Sequence, residues 1–164
     1  ETVRIAISDT QVVLNFGGGE DDGRACLSSN LVEGAFPPYE DVVPKEQDKF
    51  IEFDRDVMAS AVRRAALLTN EESRGVKLSF HSADKQVQIQ SRAAELGEAE
   101  ITVDLASYKG DDMVVGFNPS FITDALKVID DPRIMLELNK SPSRPGIIKV
   151  GTEFLYVVMP VTLQ

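Results

Sequence analysis

Residues 50–68 read FIEFDRDVMASAVRRAALL: a short β-rich run, an acid suited to capping, and then the 3.6-residue period of an amphipathic helix. Asp54 or Asp56 is the cap, because a carboxylate can accept from the backbone N–H groups that the first helical turn leaves unpaired. At about 100° per residue, Val57, Met58, Ala61, Val62, Ala65 and Leu68 share one face, while Ala59, Ser60, Arg63, Arg64 and Ala66 occupy the rest. Leu67 falls off the apolar stripe. At a helix end, before the acid-rich turn Thr69-Asn70-Glu71-Glu72, it suits a contact with another subunit.

The same grammar returns further on. A strand, Met113 to Phe117, runs into Asn118-Pro119-Ser120, a cap with proline near the first helical position. A helix follows from Ser120 to Ile129, with Phe121, Ile122, Ala125, Leu126, Val128 and Ile129 as its apolar face and Thr123, Lys127 and Asp130 on the other. Three alternating strands follow each helix: VKLSFHS, VQIQSR and EAEITVDL after the first, RIMLELN, GIIKV and FLYVVMP after the second. The chain therefore carries two βαβββ units, residues 50–109 and 113–164. Residues 3–30 hold three strands of the same kind with no helix, so the chain is expected to begin inside a domain. An α+β fold is predicted, with two helices packed side by side on one face of antiparallel sheets. The outward Ala59, Ser60, Arg63, Arg64, Thr123 and Lys127 then form one surface of small and basic side chains. That matters because the formal net charge is −10, which taken alone argues against nucleic-acid binding.

Little else in the chain points to chemistry. The loop GGGEDDG, residues 17–23, is followed by neither Gly-Lys-Ser/Thr nor a helix, and its acids do not have EF-hand spacing. Cys26, the only cysteine, sits in a β-rich run and is expected to be a buried thiol. His81, the only histidine, stands at a strand end without a second His or Cys near it, so metal binding and acid–base catalysis both lack partners. No catalytic residue, metal ligand or cofactor is expected, nor any membrane span, since no run of about 18 apolar residues occurs. Residues 36–49, with prolines at 37, 38 and 44, read as an extended connector whose Phe36, Tyr39, Val42 and Val43 should in part pack on a domain surface. The last stretch, LYVVMPVTLQ, is a strand that Pro160 confines to a sheet margin, leaving Val158, Met159 and Val161 within reach of another chain.

Four motifs in order carry a resemblance: FPPY…VVP at 36–44, RRAALLTNEESRGVKL at 63–78, GFNPSF at 116–121 and YVVMPV at 156–161. Together they resemble the bacterial sliding clamp family, the beta subunit of DNA polymerase III. The resemblance implies a DNA-clamp fold, with residues 1–36 the back half of a middle domain, 37–49 an interdomain connector and 50–164 the C-terminal domain. It implies a non-catalytic processivity factor of the bacterial cytoplasm and nucleoid, a homodimeric ring around double-stranded DNA without sequence readout. Arg63, Arg64 and Lys127 would face the phosphates. Polymerase, clamp loader and repair proteins would dock short linear motifs in a hydrophobic pocket to which Pro37, Val42, Val157, Val158, Met159, Pro160 and Val161 correspond. The head-to-tail subunit contact would use Leu67 and Leu68, with Glu95, Glu98 and Glu100 as its acidic part. The competing reading is a β-rich protein-interaction domain whose binding does not depend on Met159 or Pro160.

Overall fold

The computed structural model describes residues 2–17, 25–35, 38–69, 75–93 and 97–163. Two compact units divide the chain, Glu1–Tyr39 and Glu40–Gln164. The first is an antiparallel sheet in the order β1-β2-β3, formed by β1 (Val3–Ile7), β2 (Gln11–Phe16) and β3 (Ala25–Asn30). Its first turn closes through Ser8 N–H donating to the Gln11 carbonyl at 2.8 Å. Val3, Ile5, Ile7 and Leu27 are exposed on it. Cys26 is exposed too, contrary to the expectation of a buried thiol. A β-rich run gives a residue a face but not a layer to cover that face, and three strands alone cover neither side. Of the loop 17–23, only Gly17 lies within the described residues.

The second unit begins within a 3-10 turn, Tyr39–Asp41, and holds β4 (Lys49–Asp54), α1 (Arg55–Ala66), β5 (Val76–His81), β6 (Gln86–Ala93), β7 (Gly97–Asp104), β8 (Ser107–Lys109), β9 (Met113–Phe117), α2 (Pro119–Lys127), β10 (Arg133–Leu138), β11 (Gly146–Val150) and β12 (Phe154–Val158). Both repeats are present, and they exchange their first strands. β4 leaves its own unit and pairs with β10, Ile134 opposite Phe53, while β9 pairs with β5, Leu78 opposite Val115. The result is a five-stranded sheet, β12-β11-β10-β4-β8, and a four-stranded one, β7-β6-β5-β9. Strand β8 was not anticipated; three residues are too few for a period. It pairs with β4, Ile51 opposite Tyr108. The tail does the corresponding thing on the other sheet, where Pro160 bridges to Phe117 and Val161 N–H donates to the Gly116 carbonyl at 2.8 Å. Each unit thus returns to flank its own first strand.

Both helices start as their sequences imply. The Asp54 carboxylate accepts from Asp56 and Val57 N–H at 3.0 Å each, and the Asn118 side chain accepts from Ser120 N–H at 3.0 Å with Pro119 in the first turn. α1 packs on β4 to β7 and on α2, and α2 also touches β12. The side-by-side arrangement rotates the buried faces away from the simple stripe. Ala59 is buried between the helices, whereas Val57 is 51% exposed, Phe121 45% and Val128 70%. A helix packed on a sheet and on a neighbouring helix buries two flanks rather than one, and a small residue is needed where the helices approach. The common core takes Ile51, Phe53, Met58, Val62, Phe80, Phe117, Ile134 and Val158 from both sheets and α1, with Ile122 and Leu126 from α2.

Candidate functional site

The outward side of the helix pair is a groove of about 210 Å³ lined by Arg55, Asp56, Ala59, Arg63, Thr123, Leu126 and Lys127. The start of α1 lies against the end of α2, because Arg55 N–H donates to the Pro132 carbonyl at 2.9 Å and the Arg55 guanidinium to the Ile129 carbonyl at 2.5 Å. A cation there caps the free carbonyls at a helix end, where the macrodipole is negative. Of the anticipated basic residues, Arg63 and Lys127 come together in this groove, while Arg64 stands exposed on the same helix. Arg63 is held by its Nε donating to the Ala59 carbonyl at 3.1 Å. Lys127 is partly neutralised by Asp124 at 2.9 Å, and Arg55 by Asp56 at 2.9 Å. The Lys127–Asp124 pair is solvent-facing and holds its partner weakly, whereas the Arg55 side chain is only 25% exposed and is also held by the Ile129 carbonyl. Arg55 was missed, although it lies on the Ala59–Arg63 stripe at a four-residue interval.

The far end of α1 gathers a second set. The Ser91 hydroxyl donates to the Ala65 carbonyl at 2.7 Å and so fastens the last turn of α1 to β6 where Ser91 faces Ala99. At that level of the sheet stand Glu98 and Glu100, both exposed on the edge strand β7. Glu98 pairs with Arg92 at 3.2 Å, and Glu100 accepts from the Gln90 amide at 2.9 Å. Leu67, 76% exposed, projects from the end of α1, and Leu68 is half-buried. Glu95 lies outside the described residues.

The third set is the terminal segment. Val158 is only 2% exposed, so its side chain belongs to the core and is not offered to a ligand, whereas Met159 is 54% exposed. Val157, Pro160 and Val161 are half-buried. A groove of about 360 Å³ runs beside them, lined by Val114, Val115, Gly116, Pro142, Ser143 and residues 160–163. The tail lies so close to β9 that a Cβ on Gly116 would sit 2.6 Å from the Leu163 side chain and 2.7 Å from the Val161 carbonyl. In the connector, Val42 is 55% exposed and Tyr39 66%, Val43 is half-buried, and Pro37 lies outside the described residues.

No group of three or more His, Cys, Asp or Glu able to hold a metal ion occurs among the described residues. His81 faces Asp112 at 3.5 Å on a solvent-facing strand end. Tyr108 has its pKa pushed up to about 12, first by burial and then by the nearby Asp112, Asp111 and Asp48 carboxylates, all of which disfavour the phenolate. Its hydroxyl donates to the Asp111 carbonyl, a structural bond that closes the β8–β9 turn. No described helix is long and apolar enough to cross a membrane.

Two βαβββ units that exchange first strands and lay their helices side by side, with basic residues outward, define the DNA-clamp class of fold. The chain belongs to the DNA polymerase III beta subunit family, whose C-terminal domain model matches residues 40–162. It is 37% identical over 142 residues, 86% of its length, to the beta sliding clamp of Pseudomonas putida, and to the same extent to that of Escherichia coli strain K12. It spans 38% of the length of each of those relatives. Among solved structures, the DNA polymerase III beta subunit of Pseudomonas aeruginosa superimposes with a TM-score of 0.79 at 30% identity, covering 98% of this chain and 42% of that one.

Proposed function

We propose that this chain is the C-terminal portion of a sliding clamp, a non-catalytic processivity factor that rings double-stranded DNA and tethers polymerase, clamp loader and repair proteins to it. Residues 1–36 would then belong to the middle domain, 37–49 to the connector and 50–164 to the last domain, in a protein of the bacterial cytoplasm and nucleoid. The observation that carries the reading is the helix pair. In an acidic protein it sets Arg55, Arg63 and Lys127 in one groove, with Arg64 exposed on the same helix. Such a face holds a phosphate backbone loosely and without reading bases, since contacts of Arg and Lys to phosphates carry no sequence information. Holding would come from closure of the ring through Leu67, Leu68, Glu98 and Glu100 of one subunit against another.

Docking of partners rests on the terminal segment. Met159 is apolar and exposed next to Pro160, which lines the groove, and a methionine side chain adapts to several related peptides. The direct test is titration of a fluorescent peptide bearing glutamine, leucine and phenylalanine against this chain and its Met159→Ala variant. Saturable binding that the variant loses supports the reading. Equal binding by both proteins moves the site off the terminal segment and favours a generic edge-strand interaction domain. No binding by either removes this segment as an independent docking site.

A further inference from the structure

The β10–β11 loop supplies one wall of the groove beside the tail through Pro142 and Ser143. A loop bearing two prolines between two strands needs something to hold it, and Asn139, only 8% exposed, makes the connection. Its Oδ1 accepts from Ser141 N–H at 3.0 Å, and its Nδ2 donates to the Glu46 carbonyl in the connector. The two partners fix the orientation of this amide, because a backbone N–H can only donate and a backbone carbonyl can only accept. Around it, Asp48 N–H donates to the Leu138 carbonyl at 3.1 Å, Arg144 reaches Glu46 at 3.4 Å, and the Gln47 amide reaches the Pro145 carbonyl at 3.5 Å. The last two contacts are long and add little. The Gln47 Oε1 is buried and has no protein partner among the described residues.

We propose that Asn139 is a positioning residue for peptide docking: it joins the end of the connector to the loop wall of the groove, so that the setting of residues 46–48 decides where Pro142 and Ser143 stand opposite the tail. The inference rests on the docking reading above and adds to it a coupling between connector and groove. Only a side chain with a donor and an acceptor on one planar head can make both bonds. An aspartate keeps the acceptor for Ser141 and loses the donor, placing a carboxylate against the Glu46 carbonyl; an alanine loses both.

The test uses the whole chain in three variants, Asn139→Asp, Asn139→Ala and the control Asp54→Ala, which removes the α1 cap at the opposite end of β10 from Asn139. Amide hydrogen exchange is read at Asp48 and Ser141, and affinity is read with the fluorescent peptide. Exchange at Asp48 is expected to rise in both Asn139 variants, while Ser141 stays protected in Asn139→Asp and loses protection in Asn139→Ala. Peptide affinity is expected to fall fivefold or more in both, and to stay within twofold in Asp54→Ala despite its own loss of thermal stability. Unchanged exchange at Asp48, or equal affinity losses in Asp54→Ala and the Asn139 variants, overturns the proposal. Absence of peptide binding by the unsubstituted chain overturns the docking role, and the exchange pattern then still decides whether the coupling exists.

Discussion

Replacing Gly116 by alanine should separate the tail from the rest of the domain. The backbone itself tolerates the change: Gly116 lies in β9 without a left-handed φ, and alanine in an extended strand gains about 0.5–1 kcal/mol over glycine by restricting the unfolded chain. The added methyl, however, would fall 2.6 Å from Leu163 Cδ2 and 2.7 Å from the Val161 carbonyl oxygen. The leucine end can swing aside, being 39% exposed, but the carbonyl is backbone and must retreat with the whole segment. The Val161 N–H bond to the Gly116 carbonyl goes with it, at about 0.5–1.5 kcal/mol, and so do the apolar contacts of Leu163. Residues 160–163 lie outside the named strands and are held by the Pro160 bridge and the Val161 bond, so the domain relieves the clash by releasing them instead of unfolding. The cost is therefore capped at the free energy of docking the tail, roughly 1–3 kcal/mol, and the alanine gain offsets part of it, for a net loss of about 1 kcal/mol. Urea denaturation should show a small drop in midpoint with an unchanged slope. Hydrogen exchange at Val161 should approach the unprotected rate, and peptide affinity should fall tenfold or more. A Gly116→Ala protein that keeps both Val161 protection and full peptide affinity would refute the argument that the tail is held by close approach to β9.

Val158→Ala and Met159→Ala should behave oppositely: the first costs about 1–3 kcal/mol of stability through a cavity in the core, whereas the second leaves the melting curve in place and removes peptide binding. Leu67→Ala should change stability by less than about 0.5 kcal/mol, since its side chain is almost free, and on the ring proposed above it should weaken subunit association of the full-length protein, as read by sedimentation. On the same proposed ring, charge reversal at Arg63 should reduce retention of the full-length protein on closed circular DNA without altering peptide affinity. For Tyr108 the folded pKa of about 12 exceeds the unfolded value of 10.0, so at high pH the unfolded chain releases the proton first. Stability should be intact below about pH 10 and decline toward pH 12, by on the order of 2 kcal/mol. Tyr108→Phe should flatten that decline in alkaline denaturation, and an equally steep slope in the variant would refute the assignment to Tyr108.

The sequence alone determined what is local or periodic: the caps at Asp54 and Asn118, the two helices, the repeated strand-helix-three-strand order, the exposed position of Leu67, and through four ordered motifs the family. Caps and periods are read within a few residues, and each helix carries its own record of them. Tertiary structure decided what depends on neighbours distant in sequence. It sent β4 to β10 and β9 to β5, brought the three-residue strand β8 to the edge of β4, and buried Ala59 while exposing Val57, Phe121 and Val128, because a helix resting on both a sheet and a partner helix has two covered flanks. It paired Arg55 and Lys127 with carboxylates on their own helices and drew Arg55 into the basic groove. At the end of the chain it turned Val158 into the core and left Met159 out. Alternation sorts residues between two faces, but which face is covered is settled only by what folds against it.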